Sequence, residues 1–257
     1  MNSKGKKEAV KKFKRLFYDI ETSYNIVKSW RIGYEVRLTD KDIIQERAII
    51  CVAYKWDGDS QVKYLAWNKG DDSELVTKFA EILNSADEVI GHNSDRFDTK
   101  WLRTRCLYHG VALTPFIQSI DTLKEAKKLF LFNSNKLDYI SKFLGSEGKM
   151  ETGGLELWDD VVLRHNKQAL NKMVAYCKQD VEVLEEVFNK LNPYLKNKVT
   201  KTIKIEGNGI NCVECGSQNI VKHKVRISIA GRQTQQYQCK TCGKYHSVAI
   251  KKDSKNN

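Results

Sequence analysis

Four acidic residues occur in this chain in an order and spacing that suit metal binding. Asp19 and Glu21 stand in the segment FYDIET, Asp98 ends the segment GHNSDRFD, and Asp180 ends the segment YCKQD. Carboxylates that gather in one place repel one another and resist ionising together unless a cation neutralises them. A pair of divalent cations about 4 Å apart does so and also stabilises in-line attack on a phosphodiester. The four acids therefore predict a metal-dependent nuclease.

The local patterns predict which elements position these side chains. A short apolar run over 16–20 predicts a buried strand, and its alternation places Asp19 and Glu21 on one face, as two ligands of one site. Asp98 is predicted to open a helix directly after a strand, where a carboxylate is stabilised by the helix N-terminus. Tyr176 and Asp180 are four residues apart on a predicted helix and point the same way. A phenol in that position can orient an attacking water.

Several neighbouring residues are weaker candidates. Asp95 lies three residues before Asp98, but the pattern of the motif favours Asp98. Asp121 could approach the site from the end of its strand, and a structural hydrogen-bonding role suits it equally well. His92 is predicted to be packed and not to be a general base. Most tryptophans, Trp30 included, are core candidates, and Trp158 is a minor candidate for a base-stacking platform.

The order of elements predicts an α/β protein. The predicted strands and helices follow one another in an order that a mixed sheet with helices on its faces explains. The Gly-rich stretch 147–160 is predicted to be an ordered loop over the sheet edge. The predicted strands cover 16–20, 47–56, 61–67, 88–91 and 117–121, and the predicted helices cover 73–85, 98–109, 122–132, 137–144 and 168–191.

The three acidic motifs resemble those of the DnaQ-like, or DEDD, family of 3′–5′ exonucleases, which have a ribonuclease H-like fold. FYDIET resembles the first motif of that family, GHNSDRFD the second and YCKQD the third. Tyr176 is similar to the tyrosine of the branch that includes the exonuclease domains of family B DNA polymerases. The histidine branch would need a histidine where this chain has Ala175. The resemblance covers roughly residues 15–192 and extends to stand-alone exonuclease-like proteins of bacteria and phages, several with a C-terminal zinc ribbon.

The resemblance implies a role for each matching residue. Asp19, Glu21, Asp98 and Asp180 would be metal ligands, and Tyr176 would position the nucleophilic water. It also implies two Mg²⁺ or Mn²⁺ ions, attack at a 3′ end and release of nucleoside 5′-monophosphates. Hard carboxylate oxygens favour the same two ions independently. In the expected two-metal hydrolysis, one metal and Tyr176 prepare the water while the other metal stabilises the leaving 3′ oxygen.

The cysteines predict a second metal site. Four of the seven form two Cys-x-x-Cys pairs, each followed by a glycine, Gly216 or Gly243, that suits a tight turn around thiolates. Alternating residues over 221–229, 234–238 and 245–250 predict three ribbon strands. This pattern predicts a zinc ribbon with one structural Zn²⁺, and a redox pair is the less favoured alternative. The predicted zinc ligands are Cys212, Cys215, Cys239 and Cys242.

Charge is concentrated at the two ends of the chain, whose formal net charge is +12. Residues 1–15 contain seven Lys and Arg against one acid, and residues 196–257 contain thirteen against three. Basic ends on a mildly acidic middle predict capture of a polyanion, with solvated tails as the alternative. In the ribbon, Lys222, Lys224, Arg226, Arg232, Lys240 and Lys244 could contact phosphates, and Tyr237 or Tyr245 could stack on bases; protein docking is the alternative.

The predicted organisation has four parts. They are a basic N-terminal arm over 1–14, an exonuclease domain over 15–195, a linker over 196–208, and a zinc ribbon with a basic tail over 209–257. Pro193 and the polar stretch after it place the main boundary. The chain has neither a membrane-length apolar run nor the features of a signal peptide, so we expect a cytoplasmic protein without a membrane partner.

The predicted function is a 3′–5′ exonuclease that removes nucleotides from single-stranded DNA or a frayed 3′ end, with the ribbon aiding nucleic-acid binding. The same chemistry on RNA is the nearest alternative, because the motifs do not distinguish the sugar. A non-catalytic adaptor that binds nucleic acid or a polymerase is a second alternative, and a structure-selective endonuclease is a third. A replication or repair protein is a candidate further partner.

Overall fold

The computed structural model describes residues 13–115, 118–146, 154–195, 205–206, 209–212, 214–227 and 233–250. The chain divides into two compact units, Met1–Val187 and Phe188–Asn257. The first contains a five-stranded sheet with helices, and the second contains a three-stranded antiparallel sheet. The predicted α/β class with an additional small β module is therefore confirmed. The predicted arm and linker fall almost entirely outside the described residues, and the predicted domain limits stay predictions.

The elements of the first unit follow the predicted order closely. Its strands are β1 (Arg15–Thr22), β2 (Ile26–Val27), β3 (Ile43–Gln45), β4 (Ile49–Trp56), β5 (Lys63–Ala66), β6 (Glu88–Gly91) and β7 (Gln118–Asp121). Its helices are α1 (Ser73–Asn84), α2 (Asp98–His109), α3 (Thr122–Leu129), α4 (Leu137–Phe143), α5 (Leu155–Val162) and α6 (Lys167–Leu191), the last of which ends in the second unit.

The main sheet is mixed, with the strand order β5-β4-β1-β6-β7. The central strand β1 pairs antiparallel with β4 and parallel with β6, and Asp19 lies opposite Ala53. β4 and β5 form the predicted antiparallel hairpin, and β6 pairs parallel with β7. β1 pairs with β6 over Arg15–Phe17 and with β4 over Leu16–Thr22, so the pairing with β4 fixes its register around the acids.

The two faces of β1 have different environments. Leu16, Tyr18 and Ile20 belong to a buried apolar cluster that also includes Phe79 of α1 and Leu102 of α2. Burial of each large apolar side chain in such a core contributes about 1.5–3 kcal/mol. Since successive side chains of a strand point to opposite faces, the odd-numbered acids of β1 face away from this cluster.

A buried carboxylate joins β4, α1 and α2. Asp72 precedes α1, is fully buried, and accepts hydrogen bonds from Ile49 N at 2.9 Å and from Arg105 Nε at 2.7 Å. Its second oxygen lies 2.6 Å from Arg105 Nη2 and 2.7 Å from His109 Nε2. Although burial alone would raise the pKa of Asp72, these donors hold it below its ordinary value of 3.8. Asp72 is thus a buried anchor of the sheet and the first two helices.

Two predictions for the first unit were wrong. The segment 147–160 was predicted to be a loop, but residues 155–160 lie in α5, where Leu157 and Val161 are buried on one helical face; residues 147–153 lie outside the described part. Trp30 was predicted to be a core residue, but its side chain is fully exposed. It lies between β2 and β3, a short antiparallel pair that the sequence pattern did not reveal.

The second unit contains a three-stranded antiparallel sheet in which β11 lies between β10 and β12. In the described part of the chain, no helix combines the length and apolar character needed to cross a membrane. The strands of the second unit are β8 (Ile205–Glu206), β9 (Gly209–Ile210), β10 (Ile220–Ile227), β11 (Gln233–Cys239) and β12 (Tyr245–Ala249).

Candidate metal centres

Three of the four predicted metal-binding acids lie together. Asp19 and Glu21 on β1 and Asp180 on α6 each offer a carboxylate oxygen within 4.8 Å of those of the other two. Asp180 is buried, whereas Asp19 and Glu21 are partly accessible. Three carboxylates this close repel one another, and a bound cation would relieve that repulsion. We call these residues the acidic cluster.

Asp98, the fourth predicted ligand, is not a member of the acidic cluster but lies beside it. Its Oδ1 accepts a hydrogen bond of 3.1 Å from the backbone N–H of Ile20, the residue between Asp19 and Glu21. Burial and, to a smaller extent, the charge of Asp121 raise the pKa of Asp98 to about 7, against the opposing effect of backbone N–H donors. The first residue of α2 is therefore held against the strand that carries two of the clustered acids.

Asp121 organises the loop that precedes Asp98. Its carboxylate accepts hydrogen bonds from Asn93 N at 2.9 Å and from Asp95 N at 3.2 Å. Its Oδ1 also accepts from Leu123 N at 3.0 Å, which caps α3. Of the two roles that the sequence left open for Asp121, the hydrogen-bonding one is the role seen here.

The other residues of this loop also have structural contacts. One ring nitrogen of His92 lies 2.9 Å from Thr122 Oγ1, and the other lies 3.0 Å from the carbonyl oxygen of Asn135. This agrees with the prediction that His92 is packed. Asp95 Oδ1 accepts from Ser119 Oγ at 2.6 Å, and Lys124 Nζ donates to its Oδ2 at 2.7 Å. Asp95 is therefore held by neighbours outside the acidic cluster.

Tyr176 lies against the acidic cluster. Its hydroxyl interacts with the carboxylate of Asp180, one turn further along α6. Burial, followed by the charges of Asp180, Glu21 and Asp19, raises the pKa of the Tyr176 phenol well above its usual range. The phenol is therefore a neutral hydrogen-bonding group next to three carboxylates.

Two contacts near the cluster were not predicted. Cys177 Sγ lies 3.5 Å from the carbonyl oxygen of Asp19 and 3.7 Å from its Oδ2. A buried thiol therefore contacts both the backbone and the carboxylate of this residue. Trp158 Nε1 donates to the carbonyl oxygen of Thr22 at 3.0 Å, which fixes α5 beside the end of β1. The position of Cys177 three residues before Asp180 was a signal for the first contact, because residues three apart on a helix lie on the same face.

The donor set fits hard divalent cations. The acidic cluster offers only carboxylate oxygens, the ligands that Mg²⁺ and Mn²⁺ prefer. Asp19 and Glu21 form its partly accessible side. Asp19, Glu21 and Asp180, with Asp98 alongside, are the residues that would hold such ions.

The four predicted zinc ligands of the second unit also lie together. Cys212, Cys215, Cys239 and Cys242 have their sulfur atoms within 4.8 Å of one another. The Sγ atoms of Cys212 and Cys242 are 3.7 Å apart, as are those of Cys215 and Cys239. Tetrahedral zinc with Zn–S bonds of about 2.3 Å places its sulfur ligands about 3.8 Å apart. The thiols therefore fit a structural zinc ion.

The backbone around the thiols repeats the same turn twice. Gly216 N donates to Cys212 O at 2.8 Å, and Gly243 N donates to Cys239 O at 2.9 Å. Both glycines have positive φ angles, +72° and +73°, which side chains disfavour. These glycines occupy the predicted turns. His246, which is buried, places its Nε2 3.2 Å from Cys212 Sγ, a contact that the sequence analysis did not consider.

One predicted phosphate-binding residue of the second unit has a different role. Lys244 is buried, and its Nζ donates to the carbonyl oxygen and to Oδ1 of Asn192, each at 2.8 Å. It is therefore not available to a phosphate. Lys222, Lys224 and Arg226 are exposed on β10, whereas Arg232 lies outside the described residues.

The mixed five-stranded sheet with its helices, together with the acidic cluster, is typical of an RNase H-like nuclease fold. The sequence matches the model of the RNase H superfamily over residues 42–192, and the chain belongs to this superfamily. The matched range contains Asp98, Tyr176 and Asp180, whereas Asp19 and Glu21 precede it. The fold-level part of the resemblance predicted from the motifs is thereby confirmed. The search of curated proteins gave no match.

A solved structure has a similar fold. The chain is similar to a family B DNA polymerase from the hyperthermophilic archaeon Pyrobaculum calidifontis, with 17% sequence identity and a TM-score of 0.53. The similarity covers 71% of this chain and 25% of the polymerase chain. The matched part of the chain thus spans about a quarter of that polymerase, and the similarity is one of fold.

Proposed function

We propose that this chain is a metal-dependent 3′–5′ exonuclease that hydrolyses single-stranded DNA and releases nucleoside 5′-monophosphates. The observation that carries the proposal is the convergence of Asp19, Glu21 and Asp180, from two distant segments, within 4.8 Å of one another. Membership of the RNase H superfamily supports phosphodiester chemistry at this position. The similarity to a DNA polymerase chain favours DNA as the substrate.

The proposed cofactors are two Mg²⁺ or Mn²⁺ ions, which would activate the attacking water and stabilise the leaving 3′ oxygen. The carboxylates of Asp19, Glu21 and Asp180 supply the negative charge that holds these ions. Asp98 is kept next to β1 by the hydrogen bond from Ile20 N and completes the set of acids. The substrate phosphate would approach from the partly accessible side, formed by Asp19 and Glu21.

Tyr176 is proposed to orient the attacking water. Its raised pKa keeps the phenol protonated across the neutral range, so that it can both donate and accept hydrogen bonds. Its contact with Asp180 fixes the direction of the hydroxyl at the cluster. This is a positioning role, in which the phenol does not exchange its proton.

The second unit is proposed to hold one structural Zn²⁺ and to add affinity for nucleic acid. Lys222, Lys224 and Arg226 lie within five residues of β10 and are all exposed. Closely spaced, exposed cations suit contact with a phosphate backbone. A replication or repair protein remains a proposed further partner.

The experiment is cleavage of 5′-labelled single-stranded DNA and RNA of one sequence with Mg²⁺ or Mn²⁺. We expect DNA to shorten from its 3′ end and the products to be nucleoside 5′-monophosphates. Asp19→Ala and Asp180→Ala should abolish cleavage, because each removes a clustered carboxylate. Asp160→Ala is the matched control, since Asp160 forms an ion pair with Arg164 on the surface of α5.

The outcomes separate the alternatives. Activity retained in Asp19→Ala or Asp180→Ala would refute the assignment of the site. Shortening of RNA in preference to DNA would make the chain an exoribonuclease, and cleavage of circular single-stranded DNA would make it an endonuclease. Binding without any cleavage would favour the adaptor.

A further inference from the structure

The first unit presents an exposed apolar loop that the acidic cluster does not use. This segment, residues 28–42, connects β2 to β3, and we call it the β2–β3 loop. Trp30, Ile32 and Tyr34 have relative exposures of 104%, 101% and 110%, so their side chains make no buried contact. Large apolar side chains exposed next to one another usually mark a binding surface.

The base of the β2–β3 loop is held in place by hydrogen bonds. Lys28 N donates to the carbonyl oxygen of Asp42 at 2.9 Å, next to the pairing of β2 with β3. The carboxylate of Asp42 accepts from the backbone N–H of Thr39 at 2.8 Å and from its hydroxyl at 3.0 Å. At the tip, Val36 N donates to the carbonyl oxygen of Gly33 at 3.4 Å. The loop therefore presents its side chains from a fixed base.

The composition of the loop favours a single-stranded nucleic acid as its ligand. Apolar side chains occupy the even positions from 30 to 38, and over 28–38 three cations, Lys28, Arg31 and Arg37, accompany one acid, Glu35. The other acids of the loop, Asp40 and Asp42, lie beside Lys41 at its base, next to β3. Aromatic rings stack on bases of any sequence, while cations between them contact the phosphates. The loop also borders a concavity of about 650 Å³, which is within the usual range for ligand sites. A purely apolar protein partner would leave these cations without opposite charges.

The position of the loop connects it to the acidic cluster. β1 carries Asp19 and Glu21 and ends at Thr22, and β2 starts only four residues later at Ile26. The connection is fixed, because Ser23 N donates to the carbonyl oxygen of Ala48 at 2.9 Å. A strand whose 3′ end lies at the clustered acids could therefore continue past the end of β1 towards the loop.

We infer that the β2–β3 loop binds the single strand on the 5′ side of the nucleotide being removed. Trp30 and Tyr34 stack on bases, and Arg31 and Arg37 contact phosphates. This inference rests on the proposed function of the acidic cluster and adds to it a binding surface for several nucleotides. It also explains why large apolar side chains face solvent beside the site.

The test measures the affinity for a labelled 20-nucleotide thymidine strand in the cleavage-deficient Asp19→Ala background. Trp30→Ala and Tyr34→Ala should each weaken binding about tenfold, the scale of one lost stacking contact. Trp30→Phe keeps a ring and should restore most of the affinity. Tyr108→Ala, at an exposed tyrosine near the end of α2, is the control and should bind normally. Arg31→Ala should reduce the slope of log affinity against log salt by about 0.7.

A second substrate separates failure of this inference from failure of the proposed function. The p-nitrophenyl ester of thymidine 5′-phosphate contains one nucleotide and lacks the 5′-side nucleotides that the loop is inferred to bind. Wild-type protein and Trp30→Ala should hydrolyse it equally with Mn²⁺, with Asp19→Ala as the blank. No hydrolysis by wild-type protein would refute the proposed function and, with it, this inference.

Hydrolysis of the ester together with unchanged strand affinity in Trp30→Ala and Tyr34→Ala would refute the inference alone. The loop would then be assigned to a protein partner. If Trp30→Ala and Tyr34→Ala weakened the binding of duplex DNA as much as that of the single strand, this result would also contradict the inference. Paired bases are not available to stack on the rings.

Discussion

At the scale of single residues, the side chains of the site differ in their accessibility and in how their surroundings shift their pKa. Asp19 and Glu21 are partly accessible, whereas Asp98 is buried and its pKa is raised to about 7. Tyr176 is half-buried, and its neighbours oppose ionisation of the phenol. The acids thus supply charge, while the phenol supplies a neutral hydrogen-bonding group whose direction is set by Asp180.

Replacement of Tyr176 by phenylalanine tests the role of this hydroxyl. Tyr176→Phe should slow cleavage about ten- to hundredfold, since a hydrogen bond to a charged group contributes about 1.5–3 kcal/mol. Strand affinity should not change, because the ring remains. Single-turnover rates on 5′-labelled DNA measure the effect.

The control for this experiment is Tyr24→Phe. The hydroxyl of Tyr24 donates to Asp159 Oδ1 at 2.5 Å, and burial, with this contact, raises the pKa of Tyr24 to about 12. It is therefore a second partly buried tyrosine paired with a carboxylate, but outside the acidic cluster. Equal rates in the wild-type protein and Tyr176→Phe would remove the hydroxyl from the mechanism.

At the scale of elements, the loop between β6 and α2 determines where Asp98 lies. Asp121, at the end of the neighbouring strand β7, accepts from two backbone N–H groups of this loop. The parallel pairing of β6 with β7 places Asp121 opposite Gly91, directly before the loop. The position of Asp98 therefore depends on a residue that belongs to another strand.

Asp121→Ala should lower the turnover rate at saturating DNA by tenfold or more, because a small displacement of a catalytic group is costly. Asp121→Asn keeps an acceptor oxygen and should retain much of the activity and stability. A role limited to stability would instead leave the rate per folded molecule unchanged. Turnover at saturating DNA, with thermal unfolding of both variants, distinguishes the two.

The buried Asp72 makes a separate prediction about stability. Removing one partner of a buried ion pair typically costs about 3–5 kcal/mol, so Asp72→Ala should lower the free energy of unfolding by that order. Glu74→Ala, which removes an exposed pair with Lys78, should have little effect. Urea unfolding at neutral pH compares the two variants, and equal midpoints would contradict the assigned role.

The same carboxylate predicts a pH dependence. The folded pKa of Asp72 lies below its unfolded value of 3.8, so its contribution is fully present above that value. It is lost as the pH falls through the lower, folded pKa. Unfolding free energies measured from pH 5 downwards should fall less steeply in Asp72→Asn than in the wild-type protein. Parallel curves would show that Asp72 does not contribute.

The elements that the sequence predicted well are those with clear local signals. The helix from Asp98 to His109 was predicted with the observed limits, since an acid starts it and Gly110 follows it. α5 was missed because its eight residues follow a stretch rich in glycine. They form only about two helical turns, too few for a clear apolar periodicity. β2 and β3 have two and three residues, too few for a visible alternation, and so Trp30 was assigned to a core it does not enter.

For the site, the sequence predicted the acids but not what supports them. Asp19, Glu21, Asp98 and Asp180 were grouped from the order of their motifs and the resemblance to a known family, and Asp98 lies beside the other three. The contact of Cys177 with Asp19 and that of Trp158 with Thr22 depend on how α5 and α6 pack on the sheet. Such packing is a tertiary property that no local pattern in the sequence encodes.

At the scale of the whole molecule, two clusters of candidate metal ligands with different chemistry occur in the two units of one chain. The acidic cluster offers oxygen ligands and has an accessible side, as a catalytic site requires. The four thiols offer a closed sulfur site, as a structural zinc ion requires. The small sheet of β10, β11 and β12 has a limited core, so we expect its folding to depend on zinc.

Removal of zinc tests this dependence. Treatment with a strong chelator, followed by excess Mg²⁺, should unfold the second unit and weaken strand binding. Hydrolysis of the one-nucleotide ester should persist, since the acidic cluster lies in the first unit. Cys212→Ser should reproduce the effect, and Cys106→Ala, at a buried cysteine of α2, should not. Zinc content and far-UV circular dichroism report the outcome, and an unchanged spectrum after zinc loss would contradict it.

The alternation along β1 has a consequence for how this chain can diverge during evolution. Because the strand buries its even-numbered side chains and presents Asp19 and Glu21 on the other face, deleting one residue would turn the acids into the apolar core. A descendant could lose activity by exchanging these two acids and still keep its fold. We therefore expect inactive descendants to differ from this chain in the identity of the residues at 19 and 21, while the length of β1 is inherited unchanged.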